Sequence, residues 1–232
     1  MKAVILCGGL GTRLGSLTKE TPKPLLEVAG QPFIAHVLNR LTSAGINELV
    51  LAVGFQWRKL QAFVGDTWNG APVHYSVETY PLGTGGAISA AMESASLPEA
   101  LVVNGDTLFE INIPSFLKFA KDKDARVCVA LRKVDDCSRF GRVSLEADGE
   151  MMTFGEKAEQ GPGLINGGIY YLRRDALNAI TSETFSFETD FLAKKHLRHT
   201  VYGMTFDDYF IDIGVPDDLQ RAQTELSTWG NA

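Results

Sequence analysis

A short apolar strand that empties straight into a glycine turn constrains this chain more than any other stretch. Lys2-Ala3-Val4-Ile5-Leu6-Cys7 reads as a buried strand, and Gly8-Gly9-Leu10-Gly11-Thr12-Arg13 follows without a spacer. Glycine lacks Cβ, so the backbone there can press against a ligand and take positive φ. Successive N–H groups in such a turn form a hollow for anions. Arg13 adds a planar fork that matches phosphate oxygens, and Lys23 stands between Pro22 and Pro24. Together these residues predict a nucleoside triphosphate held for attack at phosphorus. The dinucleotide fingerprint is excluded, because counting from Gly9 its third glycine falls on Leu14. A P-loop is excluded too, since the chain has no Gly-Lys pair. A tight turn that merely reverses the chain is the remaining reading.

Beyond the turn, helical and extended patterns alternate. Phe33, Ile34, Val37, Leu38 and Leu41 recur at helical spacing and Gly45 supplies a stop. Strands are expected at 49–53, 73–77 and 101–103, with helices at 56–64 and 87–95 between them. That order predicts an α/β fold, a Rossmann-like, mostly parallel sheet flanked by helices. Ligands in such sheets sit beyond the carboxyl ends of the strands, where the glycine turn and Asp106 would meet. Further on, strands at 126–131, 141–145, 151–156 and 165–172 predict a mixed β extension roofing the pocket, and 187–197 and 217–226 read as closing helices. One domain is expected over 1–232, with a nucleotide half to about 110 and an acceptor half from about 111.

The net charge of −6 excludes a nucleic-acid surface, so negative substrates must be met by a few placed cations. Cys7, Cys128 and Cys137 are scattered and odd in number, which suits neither a disulfide framework nor a zinc site. No apolar stretch approaches membrane-spanning length. No membrane partner is therefore expected, and a cytoplasmic location is.

Asp106 stands at the mouth of Val102-Val103-Asn104-Gly105, and Asp212 inside Phe210-Ile211-Asp212-Ile213-Gly214. An acid in an apolar strand is costly unless it is paired or binds a metal. Magnesium prefers carboxylate oxygen and uses one or two carboxylates plus substrate phosphates, so the two acids predict a Mg²⁺ site. Asp106 also fits a turn or helix cap, and Asp212 a buried ion pair. Lys157, after Glu156, reads as a point charge on a sugar phosphate or as an ordinary exposed lysine. Asn166-Gly167-Gly168 would bring an amide and backbone to a polar ligand, or form a bulge. Glu78 offers two side-by-side acceptors that match the N1–H and N2–H₂ donors of guanine, and also fits an exposed strand position.

The chain resembles the sugar-phosphate nucleotidyltransferases. The signature stands as Gly8-Gly9-Leu10-Gly11-Thr12-Arg13-Leu14 with Pro22-Lys23-Pro24, the strand-end pair as Gly105-Asp106, and the later pair as Glu156-Lys157, followed by Ala158 where proline is usual. The stretches Pro81-Leu82-Gly83-Thr84-Gly85-Gly86 and Tyr209-Phe210-Ile211-Asp212-Ile213-Gly214 look most like the guanylyltransferases of that family that act on heptose 1-phosphates. The resemblance implies that a sugar 1-phosphate oxygen attacks the α-phosphorus of an NTP, GTP by preference, and expels pyrophosphate. It implies nucleotide contacts from Gly8, Gly9, Gly11, Thr12, Arg13, Glu78, Gly83 and Gly85, with Arg13 on the β- and γ-phosphates and Lys23 near the α-phosphate. It implies Mg²⁺ on Asp106 and Asp212, and sugar-phosphate contacts from Asn104, Glu156, Lys157, Asn166 and Gly167. Arg13, Lys23 and Lys157 carry the catalytic roles. Mannose-1-phosphate guanylyl transfer, uridylyl transfer and a non-catalytic nucleotide-sugar-binding subunit are the competing readings, and a homo-oligomer is left open.

Overall fold

A computed structural model describes residues 1–9, 11–155, 160–194 and 201–229. β1 (Lys2–Leu6) leads through a 3₁₀ segment (Thr12–Thr18) to the hairpin β2 (Glu27–Val28) and β3 (Gln31–Pro32). Then follow α1 (Phe33–Ser43), β4 (Glu48–Val53), α2 (Trp57–Val64), β5 (Thr67–Trp68), β6 (Ala71–Val77), α3 (Gly83–Ser94) and β7 (Glu99–Asn104). β8 (Thr107–Phe109) and α4 (Ile113–Asp122) precede the strands β9 (Val127–Val134), β10 (Arg142–Leu145), β11 (Met151–Phe154) and β12 (Gly163–Arg173). A π-helical segment (Phe187–Leu192), β13 (Val201–Phe206), β14 (Phe210–Asp212) and α5 (Pro216–Trp229) close the described chain.

β1 lies at the centre of a ten-stranded sheet, parallel to β4 on one side and β7 on the other, with β6 parallel beyond β4. β12 runs antiparallel to β7 and carries the sheet into the second half, where β9 and β10 pair with it and β13 lies parallel to β9. Register sets the functional rim. Leu6 lies opposite both Ala52 and Asn104, so β1, β4 and β7 end level. Three bonds extend that rim: Cys7 N–H to Ala52 O at 2.8 Å, Glu78 N–H to Val53 O at 2.8 Å, and Gly105 N–H to Leu6 O at 2.9 Å.

Both faces of the parallel part are covered. Alternate β4 residues divide between two buried clusters, Leu49, Leu51 and Val53 toward α1, α2, α4 and α5, and Val50 and Ala52 toward α3 and the π-helical segment. α1 shows why these helices form. Phe33, Ile34, Val37, Leu38 and Leu41 make one buried stripe. At its end Gly45 takes φ 86°, and that left-handed turn lets the Ile46 N–H reach Leu41 O at 3.1 Å. Removing a ring such as Phe33 from this core should cost about 3–5 kcal/mol.

Short strands such as β2, β3, β5 and β8, and the longer β13, come in addition to the expected ones, and three helical segments depart from the sequence expectation. α3 begins at Gly83 rather than at Ala87, so the glycine run is its first turn. The cause is packing: a Cβ on Gly85 would lie 2.1 Å from the Phe185 ring, and one on Gly86 2.3 Å from Glu183 O. The expected 187–197 helix is π-helical over its described part, and 195–197 lie outside the described residues. α4 was not foreseen; its start is capped by Asn112 Oδ1, which accepts from the Ser115 N–H at 2.9 Å.

Candidate active site

The level rim of β1, β4 and β7, with the end of β6 beside it, borders a cavity of about 610 Å³, lined by Gly8, Gly9, Gly54, Phe55, Glu78, Tyr80, Gly83, Thr84, Asn104 and Asp106 among others. A Cβ on Gly8 would fall 2.6 Å from Glu78 Oε1, so a side chain there would displace the Glu78 carboxylate. The Glu78 carboxylate is pressed against the glycine turn, and its Oε2 accepts the Leu82 N–H at 3.1 Å. Phe55 and Tyr80 remain half exposed beside it, at 51% each.

A second cavity, about 720 Å³, is lined by Arg13, Arg139, Phe140, Gly141, Asn166, Glu188, Thr189, Asp212 and Gly214 among others. Asp106 lines the first cavity and Asp212 the second. The two acids meet because β8 and β14 form a separate antiparallel pair that sets Asp212 opposite Thr107. Lys23 stands between them. Its Nζ lies 2.5 Å from Asp106 Oδ2 and 3.8 Å from Asp212 Oδ1, and the residue is only 6% exposed. Burial first, and then the Asp106 charge, push the Asp212 carboxyl above the ordinary carboxylate range; Lys23, the Gly214 N–H and Arg13 draw it part of the way back. One ammonium thus serves two crowded acids.

The donor set suits a hard divalent cation. Among the described residues no group of three or more metal-binding side chains occurs. Two carboxylates leave the other coordination positions to phosphate oxygens and water, which is how magnesium is usually held.

The predicted residues are distributed between the two cavities and the elements around them. Gly8, Gly9, Gly83 and Glu78 border the first cavity, and Asn166 the second. Gly11 shapes the turn instead: it takes φ 64°, and a Cβ would strike Thr18 Cγ2 at 2.8 Å. Gly85 does not offer its amide to a ligand, since that N–H donates to Phe185 O at 3.0 Å. Lys23 holds the acids rather than standing clear of them. Arg13 follows the 3₁₀ turn into the second cavity, with no ion pair among the described residues, and Thr12 beside it is exposed. Asn104 lines the first cavity and not the second. Gly167 forms part of a bulge in β12, where a Cβ would meet the Phe109 ring at 2.5 Å. Glu156 and Lys157 lie outside the described residues.

The profile of the family described as Nucleotidyl transferase matches residues 2–228. The chain belongs to that family. It is 41% identical over 219 residues to the D-glycero-alpha-D-manno-heptose 1-phosphate guanylyltransferase of Campylobacter jejuni, covering 94% of this chain and 96% of the relative. The enzyme of the same description from Aneurinibacillus thermoaerophilus is 37% identical over 227 residues, 97% of this chain and 98% of the relative. Among solved structures, HddC from Yersinia pseudotuberculosis complexed with GMP-PN superposes with a TM-score of 0.85 at 32% identity, covering 97% of this chain and 99% of that one. The mostly parallel sheet with its mixed extension is therefore the fold of these family members. Among the described residues no helix is long and apolar enough to cross a membrane.

Sequence reasoning missed two members of the second cavity. Arg139 is held by Asp218 Oδ2 at 2.6 Å. Glu188 sits in a run, Phe187-Glu188-Thr189-Asp190, that reads only as a helix start. Its partner Thr84 is 104 residues away, so no local pattern announces it.

Proposed function

We propose that this chain transfers the guanylyl group of GTP to D-glycero-α-D-manno-heptose 1-phosphate and releases pyrophosphate. The observation that carries the reading is the Asp106–Lys23–Asp212 cluster at the seam of two cavities, one fitted to a nucleoside and one to a polar acceptor. The near-full-length similarity to two guanylyltransferases of that substrate supports the choice of base and sugar.

A phosphate oxygen of the sugar 1-phosphate attacks the α-phosphorus, the bond from that phosphorus to the bridging oxygen breaks, and pyrophosphate leaves with the electron pair. Such a displacement needs positioning and charge neutralisation more than a proton-transfer base. Glu78, seated against Gly8, accepts from the guanine N1–H and N2–H₂ edge, and the amides of Gly8 and Gly9 close over the nucleotide. Asp106 and Asp212 would hold a divalent cation, Mg²⁺ in this reading, which supplies positive charge to the reacting phosphates. Lys23 keeps the two acids together at the seam. Arg13 steadies phosphate charge from the second cavity, Asn166 meets sugar hydroxyls, and Lys157 is assigned the acceptor phosphate from its sequence setting. A cytoplasmic location goes with a GTP substrate.

Pyrophosphate release from purified protein tests this, with each of the four NTPs against heptose 1-phosphate and mannose 1-phosphate. GTP with heptose 1-phosphate should give the highest kcat/KM. Release with no pair would end the reading, and release with UTP alone would move it to uridylyl transfer.

A further inference from the structure

Among the described residues of the second cavity, Glu188 is the one acid that the reaction above leaves unused. Its carboxylate has hydroxyl partners only: Oε2 accepts from Thr84 Oγ1 at 2.5 Å and Ser186 Oγ at 3.1 Å, and Oε1 from Tyr170 OH at 3.3 Å. Among the described residues it has no cation partner.

The direction of these bonds is fixed from both sides. On one side the Gly168 N–H donates to Asn166 Oδ1 at 3.0 Å, so the Asn166 amide must present Nδ2 to Tyr170 OH, 2.6 Å away. The buried Tyr170 hydroxyl, receiving that bond, sends its own proton on to Glu188. On the other side the Phe187 N–H donates to Thr84 Oγ1 at 2.9 Å, and Thr84 in turn passes its proton to Glu188. A third runs from the Thr189 N–H at 3.2 Å through Ser186 Oγ, so three donor chains end on one carboxylate. Of its roughly four acceptor positions one remains, on Oε1, whose only bond is the longest of the three.

A terminal acceptor on a cavity wall calls for O–H or N–H donors and repels anions. Phosphate charge belongs with Arg13, which lines the same cavity. Sugar hydroxyls are the donors left, and bonds from O–H to a carboxylate are among the short, strong ones. We propose that Glu188 binds hydroxyl groups of the acceptor sugar and helps decide which sugar 1-phosphate is taken; Tyr170 and Thr84 are its positioning residues. The proposal rests on the sugar 1-phosphate reading of this cavity.

Steady-state kinetics of Glu188→Gln test it. The KM for heptose 1-phosphate should rise at least tenfold while the KM for GTP stays within twofold. The kcat/KM ratio of heptose 1-phosphate to mannose 1-phosphate should shift at least threefold. An unchanged acceptor KM, or equal changes in both KM values, would overturn the assignment. Glu188→Asp carries the same comparison should the glutamine variant not fold. Calorimetric titration with heptose 1-phosphate reads the site without turnover: weaker binding by the variant supports the role, and equal binding overturns it. If the wild-type protein instead turns over no sugar 1-phosphate, the reaction reading fails, while the titration still decides Glu188.

Discussion

The two cavities differ in how they are built. The first cavity rests on the level ends of β1, β4 and β7, and backbone bonds between neighbouring strands hold its rim. The second cavity rests on side chains that reach across the chain, such as Thr84 to Glu188 over 104 positions and Arg139 to Asp218 over 79. Backbone register tolerates side-chain change, because the ladder bonds do not involve side chains. A side-chain network does not, since each lost member leaves a partner unsatisfied. Under the proposed function, the first cavity takes the constant nucleotide and the second the acceptor that can vary.

The seam between them should show the largest effect. Asp106→Asn is expected to lower kcat by about 10²–10³-fold. The fold should survive, because Lys23 keeps Asp212 as an ion partner and the amide relieves Asp212 of a like charge. Retained turnover would remove Asp106 from the chemistry.

Lys23→Met should strike stability as well, for it leaves two partly exposed carboxylates facing each other. A loss of about 1–3 kcal/mol would lower the melting temperature by several degrees in a chain of this size. Millimolar Mg²⁺ should restore more stability to this variant than it adds to the wild type. A thermal melt insensitive to Mg²⁺ would break the link between lysine and metal.

Two glycines sharpen the comparison further. Gly85→Ala places Cβ 2.1 Å from the Phe185 ring, and should cost about 1–3 kcal/mol. Gly9→Ala meets nothing within 4 Å, and should leave the melting temperature alone while raising the KM for GTP. The reverse pattern would exchange their roles. The smallest effect concerns the thiols. Burial pushes Cys7 and Cys128 well above the usual thiol range, so neither should react with a disulfide reagent at pH 8 until the protein unfolds. Thiol counting checks this.

Much of the nucleotide side was legible because its signals are local. Gly8 and Gly9 follow β1 within a few residues, and α1 carries its stripe and its Gly45 stop in one run. The glycines at 83–86 misled in part: helix propensity reads them as a loop, whereas Phe185 and Glu183 demand their smallness from 100 residues away. Asn104 and Gly167 misled for a related reason, since a motif names a segment and packing decides which way its members face.

From the sequence alone came the alternating sheet, the glycine turn, and the acids and lysine worth watching. Those follow from period, steric freedom and charge, which are properties of neighbouring residues. Only the folded chain decided that Lys23 would sit between Asp106 and Asp212, and that Glu188 would line the second cavity. Both depend on β8 pairing with β14 and on α3 packing against residues 183–187, contacts between segments far apart in the chain.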